Sequence, residues 1–499
     1  MAFIDSSALD VISPTLQSEL HMTATELLWV INAYTLMLSA LILIGGSLGD
    51  HYGRKRVFML GIGIFTAASV ICGLTSSVPL LIGARAVQGI GGALMVPGSL
   101  AILSASFPPD RRGKAIGTWS TFSTLTVLLG PALGGWLASI GLWRGVFFIN
   151  VPLAAIALIV LARKVPESRD ETISKQLDYV GAMLVTLGLA GITYGFTEAP
   201  SYGFGAKRIL FALIGGLVAL GAFLIVETRS SHPMVPLRLF KSRTFSGTNA
   251  LTLFLYAGLG AAPFFLLINL QKVQGYPQQT AGFVLLPFGI LLTVMSRWAG
   301  GLIDRMGARL PLTIGPAIAG IGFFMMALPG MTNGPNDYWT SYFPAVIVLG
   351  IGMGITVAPL TTAVMGAAPI ESTGTASGIN NAVARTARVL AIAILGAVAL
   401  GYFNGALETR ASALNLPAPA QTQLRVEASK LANAVPPPDL DAATTANVQM
   451  AIRWSFIETF RLIALISAGM AWLSALLAWL MIEGKTKNDP AATIVPGTD

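Results

Sequence analysis

Apolar residues run along this chain in blocks of about the length of one membrane crossing, roughly 20 residues, divided by short polar and basic stretches. The pattern predicts helical spans near 28–48, 57–75, 79–103, 115–138, 146–162, 178–197, 208–227, 245–270, 279–298, 310–329, 341–364, 379–401 and 458–481. Residues 1–16 add a shorter apolar segment. A helix of that size reaches only about 24 Å, short of the roughly 30 Å hydrocarbon core. About ten or more further apolar residues are therefore expected ahead of Met1, through a misassigned start or a truncated sequence.

One span contains residues that ordinarily break helices. Positions 125–137 read LTVLLGPALGGWL, with Gly130, Pro131, Gly134 and Gly135 at the centre. In a soluble helix each Gly costs about 1 kcal/mol and Pro about 3. In a membrane helix small residues let neighbouring backbones approach, and a proline kink is re-satisfied locally. The segment is expected to be either a bent gating helix or a packing seam.

Composition sets the class. Hydrophobic residues make up 54% of 499 and charged residues 11%, against about 25% charged in soluble domains. Mean hydropathy is +0.71. These values predict an all-α polytopic membrane protein in a lipid bilayer. The net charge of +8 is read as loop bias, not as a nucleic-acid surface. Cys72 is alone, which excludes an intramolecular disulfide or a multi-cysteine metal site. His21, His51 and His232 are far apart, and no HExxH, phosphate-binding loop or GxSxG elbow occurs. An enzyme, a metal site and a bound cofactor all lack support.

The basic residues order the topology. Nineteen, including Arg54–Arg56, Arg111, Arg163, Arg238, Arg309 and Lys485, fall on one predicted side, and eight on the other. By the positive-inside rule the first side, with the C-terminus, is cytoplasmic. The outer loop 402–457 is rich in Ala, Pro, Thr and Gln and is expected to be partly helical or mobile. The polar tail 483–499 is expected to be disordered.

There is also an internal repeat. Gly46, Leu48, Asp50, Gly53 and Arg54 to Arg56 follow the second predicted helix, and Gly300, Leu302, Asp304, Arg305, Gly307 and Arg309 follow a later one. Both turns have Gly four before Asp, Gly three after it and a basic residue five after it. Related halves of this kind mark repeat-built membrane proteins.

These residues resemble a known family. The turn at 46–56 is similar to the GxLaDRxGRK loop of the major facilitator superfamily, with His51 where that family has Arg. Leu81, Arg85, Gln88, Gly89, Gly91, Gly92 and Ala93 match its fourth-helix pattern LxxxRxxQGxGGA. The Gly130–Gly135 cluster resembles the fifth-helix antiporter motif, with Thr126 in place of a further Gly. Trp143-Arg144, 147–152 (FFINVP), His232-Pro233, 237–240 and 271–276 resemble 14-helix drug:proton antiporters of the EmrB/QacA type. The resemblance implies two six-helix bundles, 1–165 and 244–482, with two additional helices at 176–228 and the cytoplasmic tail. It also implies alternating access, in a bacterial-type inner membrane.

Candidate sites follow. Phe3 to Ser7 and Pro14 resemble the family's first-helix pattern LLDTTIVNVALP, which makes Asp5 the carboxylate and Arg85 its natural partner in proton coupling. A cavity-facing carboxylate is either desolvated, which favours its protonated form, or paired with Arg85, which favours the ionised form. Arg85 otherwise snorkels to an interface, since an Arg at mid-bilayer costs roughly 2.5–3.5 kcal/mol. Asp50 is expected to act as a cytoplasmic latch, or else is a solvated loop acid. Asp10 is either an outer-end polar residue or a second titrating group. Arg385 and Arg388 stand where the family reads RQVGGALG; they sit at the cytoplasmic end, or they line the cavity and favour anionic or neutral substrates. Asn32, Tyr34, Gln88, Trp119, Phe122, Asn249, Phe254 and Tyr256 are candidates for a largely apolar pocket.

The implied function is proton-coupled efflux of amphipathic drugs, antibiotics or other toxic molecules, driven by the proton gradient without a cofactor. Uptake or export of a specific metabolite is an alternative, and a non-transporting sensor or scaffold is another. The sequence names neither the substrate nor a periplasmic adaptor. N-terminal sequencing of the native protein should find residues ahead of Met1; Met1 as the first residue would contradict that expectation.

Overall fold

Inside a bilayer every backbone N–H and C=O must be satisfied within its own segment or by a neighbour. This chain does so with helices. The computed structural model describes residues 1–106, 122, 126, 129–168, 178–230, 233–300, 302–369 and 373–484. The helices are α1 (Ala2–Glu19), α2 (Ala24–Tyr52), α3 (Arg54–Leu74), α4 (Val78–Ser106) and α5 (129–139). Then come α6 (Gly145–Lys164), α7 (Tyr179–Tyr202), α8 (Lys207–Arg229), α9 (Arg243–Val273) and α10 (Gln278–Ser296). The last four are α11 (Arg309–Met326), α12 (Tyr342–Gly366), α13 (Thr373–Ser412) and α14 (Ala442–Met481). Among the described residues no strand occurs, and 12 helices are long and apolar enough to cross a membrane.

Local chemistry fixes the ends. Thr23 caps α2 through a reciprocal box: its side chain accepts from the Glu26 N–H, and the Glu26 carboxylate accepts from the Thr23 N–H. That satisfies two otherwise orphaned groups. At the other end of α2, Gly53 adopts φ +109 and starts α3 without a linker, a conformation only Gly takes at little cost. The segment expected as one span near 279–298 is broken at Val284 and Leu285. Pro287 has no N–H to give to the carbonyl four residues back, which ends the first turn of the helix.

Two helices are longer than expected. α13 and α14 each have 40 residues, about 60 Å at 1.5 Å per residue. They overrun the apolar spans because their outer ends are rich in Ala and other good helix formers. The loop expected at 402–457 is thereby largely helical, with a further short helix at Ala418–Glu427 and a 3₁₀ segment at Ala428–Asn433. The 3₁₀ segment packs on α1, α2, α13 and α14. Half of the expected fifth span, 115–138, and the tail beyond Gly484 lie outside the described residues.

α2, α3 and α4 form one tightly packed group, and α9 to α14 form another. α7 and α8 pair with each other; α7 also leans on α2 and α13, while α8 leaves most of its surface uncovered. Close packing in the first group depends on the small residues of α4. A Cβ at Gly91 would lie 2.6 Å from the Phe65 nitrogen of α3, and one at Gly61 would lie 2.9 Å from the Gly91 oxygen. Membrane helices gain stability from such backbone approach because lipid offers no hydrophobic drive between them. Gly91→Val should lower the thermal midpoint in detergent, an overpacking cost on the order of 1–3 kcal/mol. Gly83→Ala, with open space around it, should leave the midpoint unchanged or raise it.

Candidate functional site

The most polar point of the first helical group is also its driest. Asp5 on α1 is 0% exposed and Arg85 on α4 is 1% exposed. Their ion pair, Arg85 Nη1 to Asp5 Oδ2, measures 2.6 Å. The other carboxylate oxygen of Asp5 accepts from Gln88 Nε2 at 2.8 Å and Asn150 Nδ2 at 3.2 Å. Arg85 also donates from Nη1 to Gln88 Oε1 at 2.6 Å and from Nε to the Val30 carbonyl at 3.2 Å. Its guanidinium lies 4.4 Å from the Tyr34 ring centre, a cation–π contact that strengthens when water is excluded. Ser69 closes the network, accepting from Asn150 at 3.0 Å and donating to the Phe147 carbonyl at 2.8 Å.

Five helices thus meet at one carboxylate: α1, α2, α3, α4 and α6. Arg85 and Gln88 share a face because they are three residues apart on α4. A buried pair gains net stability only when its remaining lone pairs and protons are satisfied, and here they largely are. Two buried atoms, the Asn150 Oδ1 and the Tyr34 hydroxyl, have no partner.

A second ion pair crosses between the two helical groups. Arg388 Nη2 on α13 lies 2.6 Å from Asp10 Oδ2 on α1. Nearby, Gln271 donates to the Val11 carbonyl at 2.8 Å and Gln278 to the Thr15 hydroxyl at 2.6 Å. These contacts gather on the part of α1 that leads to Glu19. The glycine cluster forms the same seam. A Cβ at Gly134 would lie 2.7 Å from the Ala8 oxygen, and one at Gly135 2.5 Å from the Gln278 oxygen. Gly130 packs on Ser7, and the Pro131 carbonyl presses on Gly282 of α10. α5 is therefore clamped between α1 and α10.

The α2–α3 turn is held by a residue that sequence reasoning missed. The Glu167 carboxylate accepts from the Lys55 N–H at 2.9 Å and the Arg56 N–H at 3.2 Å, and the Arg54 N–H donates to the Ser168 carbonyl at 2.8 Å. An acid at a helix N-terminus satisfies free N–H groups and the positive end of the dipole. Gly46 packs on Pro97 of α4. Asp50 is in the last turn of α2, and Asp304 and Arg305 lie on a short helix, Leu302–Met306.

The expected site residues separate into groups. Asp5, Arg85, Gln88 and Tyr34 come together. Asn32 is buried on α2 with its amide unpartnered. Asn249 belongs to a different contact, accepting from Asn380 at 3.2 Å between α9 and α13. Tyr256 and Phe254 are half-buried on α9. Phe122 is 63% exposed, and Trp119 lies outside the described residues. Arg385 is half-buried within electrostatic reach of Tyr34 and Arg388. Asp10 is paired across the seam by Arg388, and Ser69, Asn150 and Glu167 are additions.

Residues 1–392 match the Major Facilitator Superfamily. The chain belongs to that family. It is similar to the Multidrug resistance protein Stp of Mycobacterium tuberculosis (strain ATCC 25618 / H37Rv), 30% identical over 82% of this chain and 75% of that one. The Tetracenomycin C resistance and export protein of Streptomyces glaucescens is 29% identical over 96% of this chain and 88% of its own length. The Cephamycin export protein CmcT of Amycolatopsis lactamdurans is 33% identical over 79% and 82%. A bacterial homolog of the human lysosomal transporter Spinster, in an inward-facing and unoccupied conformation, shares the fold with TM-score 0.60 and 18% identity, covering 96% of this chain and 95% of that one. The protein is a multi-pass membrane transporter of the major facilitator fold, acting on small molecules, and not an enzyme.

Because the Asp5–Arg85 pair is sealed, removing one partner should harm the fold more than removing both. Arg85→Gln or Asp5→Asn alone should destabilise by about 3–5 kcal/mol at most, since each strands a buried group. The Asp5→Asn/Arg85→Gln double variant should recover most of the lost thermal midpoint. Losses that simply add would show that the two charges do not depend on each other.

Proposed function

We propose that this transporter is a proton-coupled exporter of amphipathic drugs or antibiotic-like small molecules, of the 14-helix antiporter type. The observation that carries this reading is the sealed carboxylate–guanidinium pair of Asp5 and Arg85 among membrane-spanning helices. An ionisable group held at membrane depth is a functional site by default. The printed names of the relatives, multidrug resistance, tetracenomycin C resistance and export, and cephamycin export, support the substrate class and the direction.

In this scheme a proton arriving at Asp5 removes the charge that Arg85 is paired with. Gln88 and Asn150 lose an ionic acceptor at the same moment, and α1 is released from α4 and α6. Asp5 and Asp10 are five residues apart on one rigid helix, so the change at Asp5 reaches the seam where Ser7 and Ala8 pack on Gly130 and Gly134. The halves 1–165 and 244–482 then rock about that seam, with 176–228 as an added pair outside it. The proton gradient supplies the free energy and no cofactor takes part. The basic loops and the C-terminus face the cytoplasm in this reading, which puts the closed Glu19 side of α1 outward.

Expression in an efflux-deficient bacterium should raise the inhibitory concentration of part of a chemically diverse antibiotic panel several-fold. Asp5→Asn and Arg85→Ala should lose that resistance at equal membrane abundance. Everted vesicles should take up the same compounds only when acid inside. Resistance that survives in Asp5→Asn would overturn proton coupling at this residue.

A further inference from the structure

A cavity of about 210 Å³ lies at the seam between the two helical groups. Its walls are mostly apolar, with Phe264 and Pro263 from α9 and Phe288, Leu285 and Leu292 from α10. Asp10 and Arg388 are its charged lining residues among the described residues. They form the crossing ion pair, with 19% and 33% of their side-chain surfaces open. The cavity is smaller than the roughly 300–1,000 Å³ that drug-sized ligands occupy. A ligand of that size therefore enters only if the seam gives way.

The charges in this region do not balance. Arg385 lies three residues before Arg388, so both guanidinium groups project from neighbouring turns of α13. Among the described residues the one carboxylate in ion-pair contact with either is Asp10. Arg388 contacts it through Nη2, and its buried Nε has no hydrogen-bond partner. A guanidinium fork can bind a carboxylate through two parallel N–H donors. Arg388 is thus only part-used. Gly260 of α9 leaves the space its side chain occupies, since a Cβ there would lie 2.9 Å from the Arg388 Cγ.

We propose that this cavity selects amphipathic anions, whose acidic group replaces Asp10 as the counter-ion of Arg388 while the apolar body rests on Phe264 and Phe288. The proposal rests on the export reading and names its substrate class. It also assigns Asp10 a role: it holds Arg388 in the empty protein and yields it to the ligand. Occupation of the site then breaks the ion pair that joins α1 to α13. A cationic ligand would face the excess of guanidinium charge with no acid to spare.

The test compares two xanthene dyes of similar shape and opposite charge, fluorescein and tetramethylrhodamine methyl ester. Binding to the full-length protein in nanodiscs is read by fluorescence polarisation at neutral pH. Wild type should bind fluorescein tighter than the cationic dye by on the order of tenfold, the scale of a buried charge pair. Arg388→Gln should abolish that preference, and Arg388→Lys should retain part of it. Asp10→Asn should move the other way and tighten fluorescein binding several-fold, because the internal competitor is gone. The Asp10→Asn/Arg388→Gln double variant, which strands no charge in the seam, should still lack the preference. The proposal is overturned if Arg388→Gln keeps the wild-type preference, if Asp10→Asn weakens fluorescein binding as Arg388→Gln does, or if neither dye binds. Failure of the export reading would show separately, as absence of resistance on the antibiotic panel.

Discussion

The structure is organised around a charge that cannot be left alone. A carboxylate and a guanidinium removed from water each carry a desolvation penalty of several kcal/mol, which only good geometry and further hydrogen bonds offset. Asp5 and Arg85 meet that condition through Gln88, Asn150, the Val30 carbonyl and the Tyr34 ring. Supplying those partners, with Ser69 behind Gln88 and Asn150, requires α1, α2, α3, α4 and α6 to converge on one point. The small residues of α4 make that convergence possible by letting α2 and α3 approach its backbone. Electrostatics and packing here are two sides of one constraint.

α1 gives that constraint its reach. The helix carries Asp5 into the sealed network and Asp10 to the seam with α13, and its Ser7 and Ala8 lie against the glycines of α5. A rigid element with an ionisable group near one end and a cross-group contact near the other can couple the two, provided each has two stable arrangements. The glycine–proline cluster is the seam's second fixed feature. It is bounded by α1 on one side and by the start of α10 on the other, and in the proposed cycle it is the surface on which they move.

Legibility in the sequence followed the cost of each residue. Arg85 stood out because a charge in an apolar span is expensive, Asp5 because the first helix resembles a family pattern, and the glycine cluster because helix breakers need a reason. Ser69 and Asn150 did not stand out. Ser commonly bonds within its own helix, and Asn150 sat inside a stretch legible only as a family signature. Asn is nevertheless costly in a span without a partner, and that was the available signal. The extra Arg388 was visible, but its partner is 378 residues away, and no local pattern reports a contact of that range. Glu167 looked like any loop acid until the fold set it at the N-terminus of α3. The lengths of α13 and α14 were hidden because hydropathy ends at the bilayer edge while helix propensity continues beyond it.

The central claim is that Asp5 exchanges its bond to Arg85 for a proton as the transporter turns over. Compound-driven proton efflux from acid-inside everted vesicles tests it most directly, read as dequenching of a pH-sensitive dye on addition of a compound to which the protein confers resistance. The account predicts dequenching with wild type and none with Asp5→Asn at equal membrane abundance. Equal dequenching with both proteins would place the coupled proton elsewhere and contradict the account.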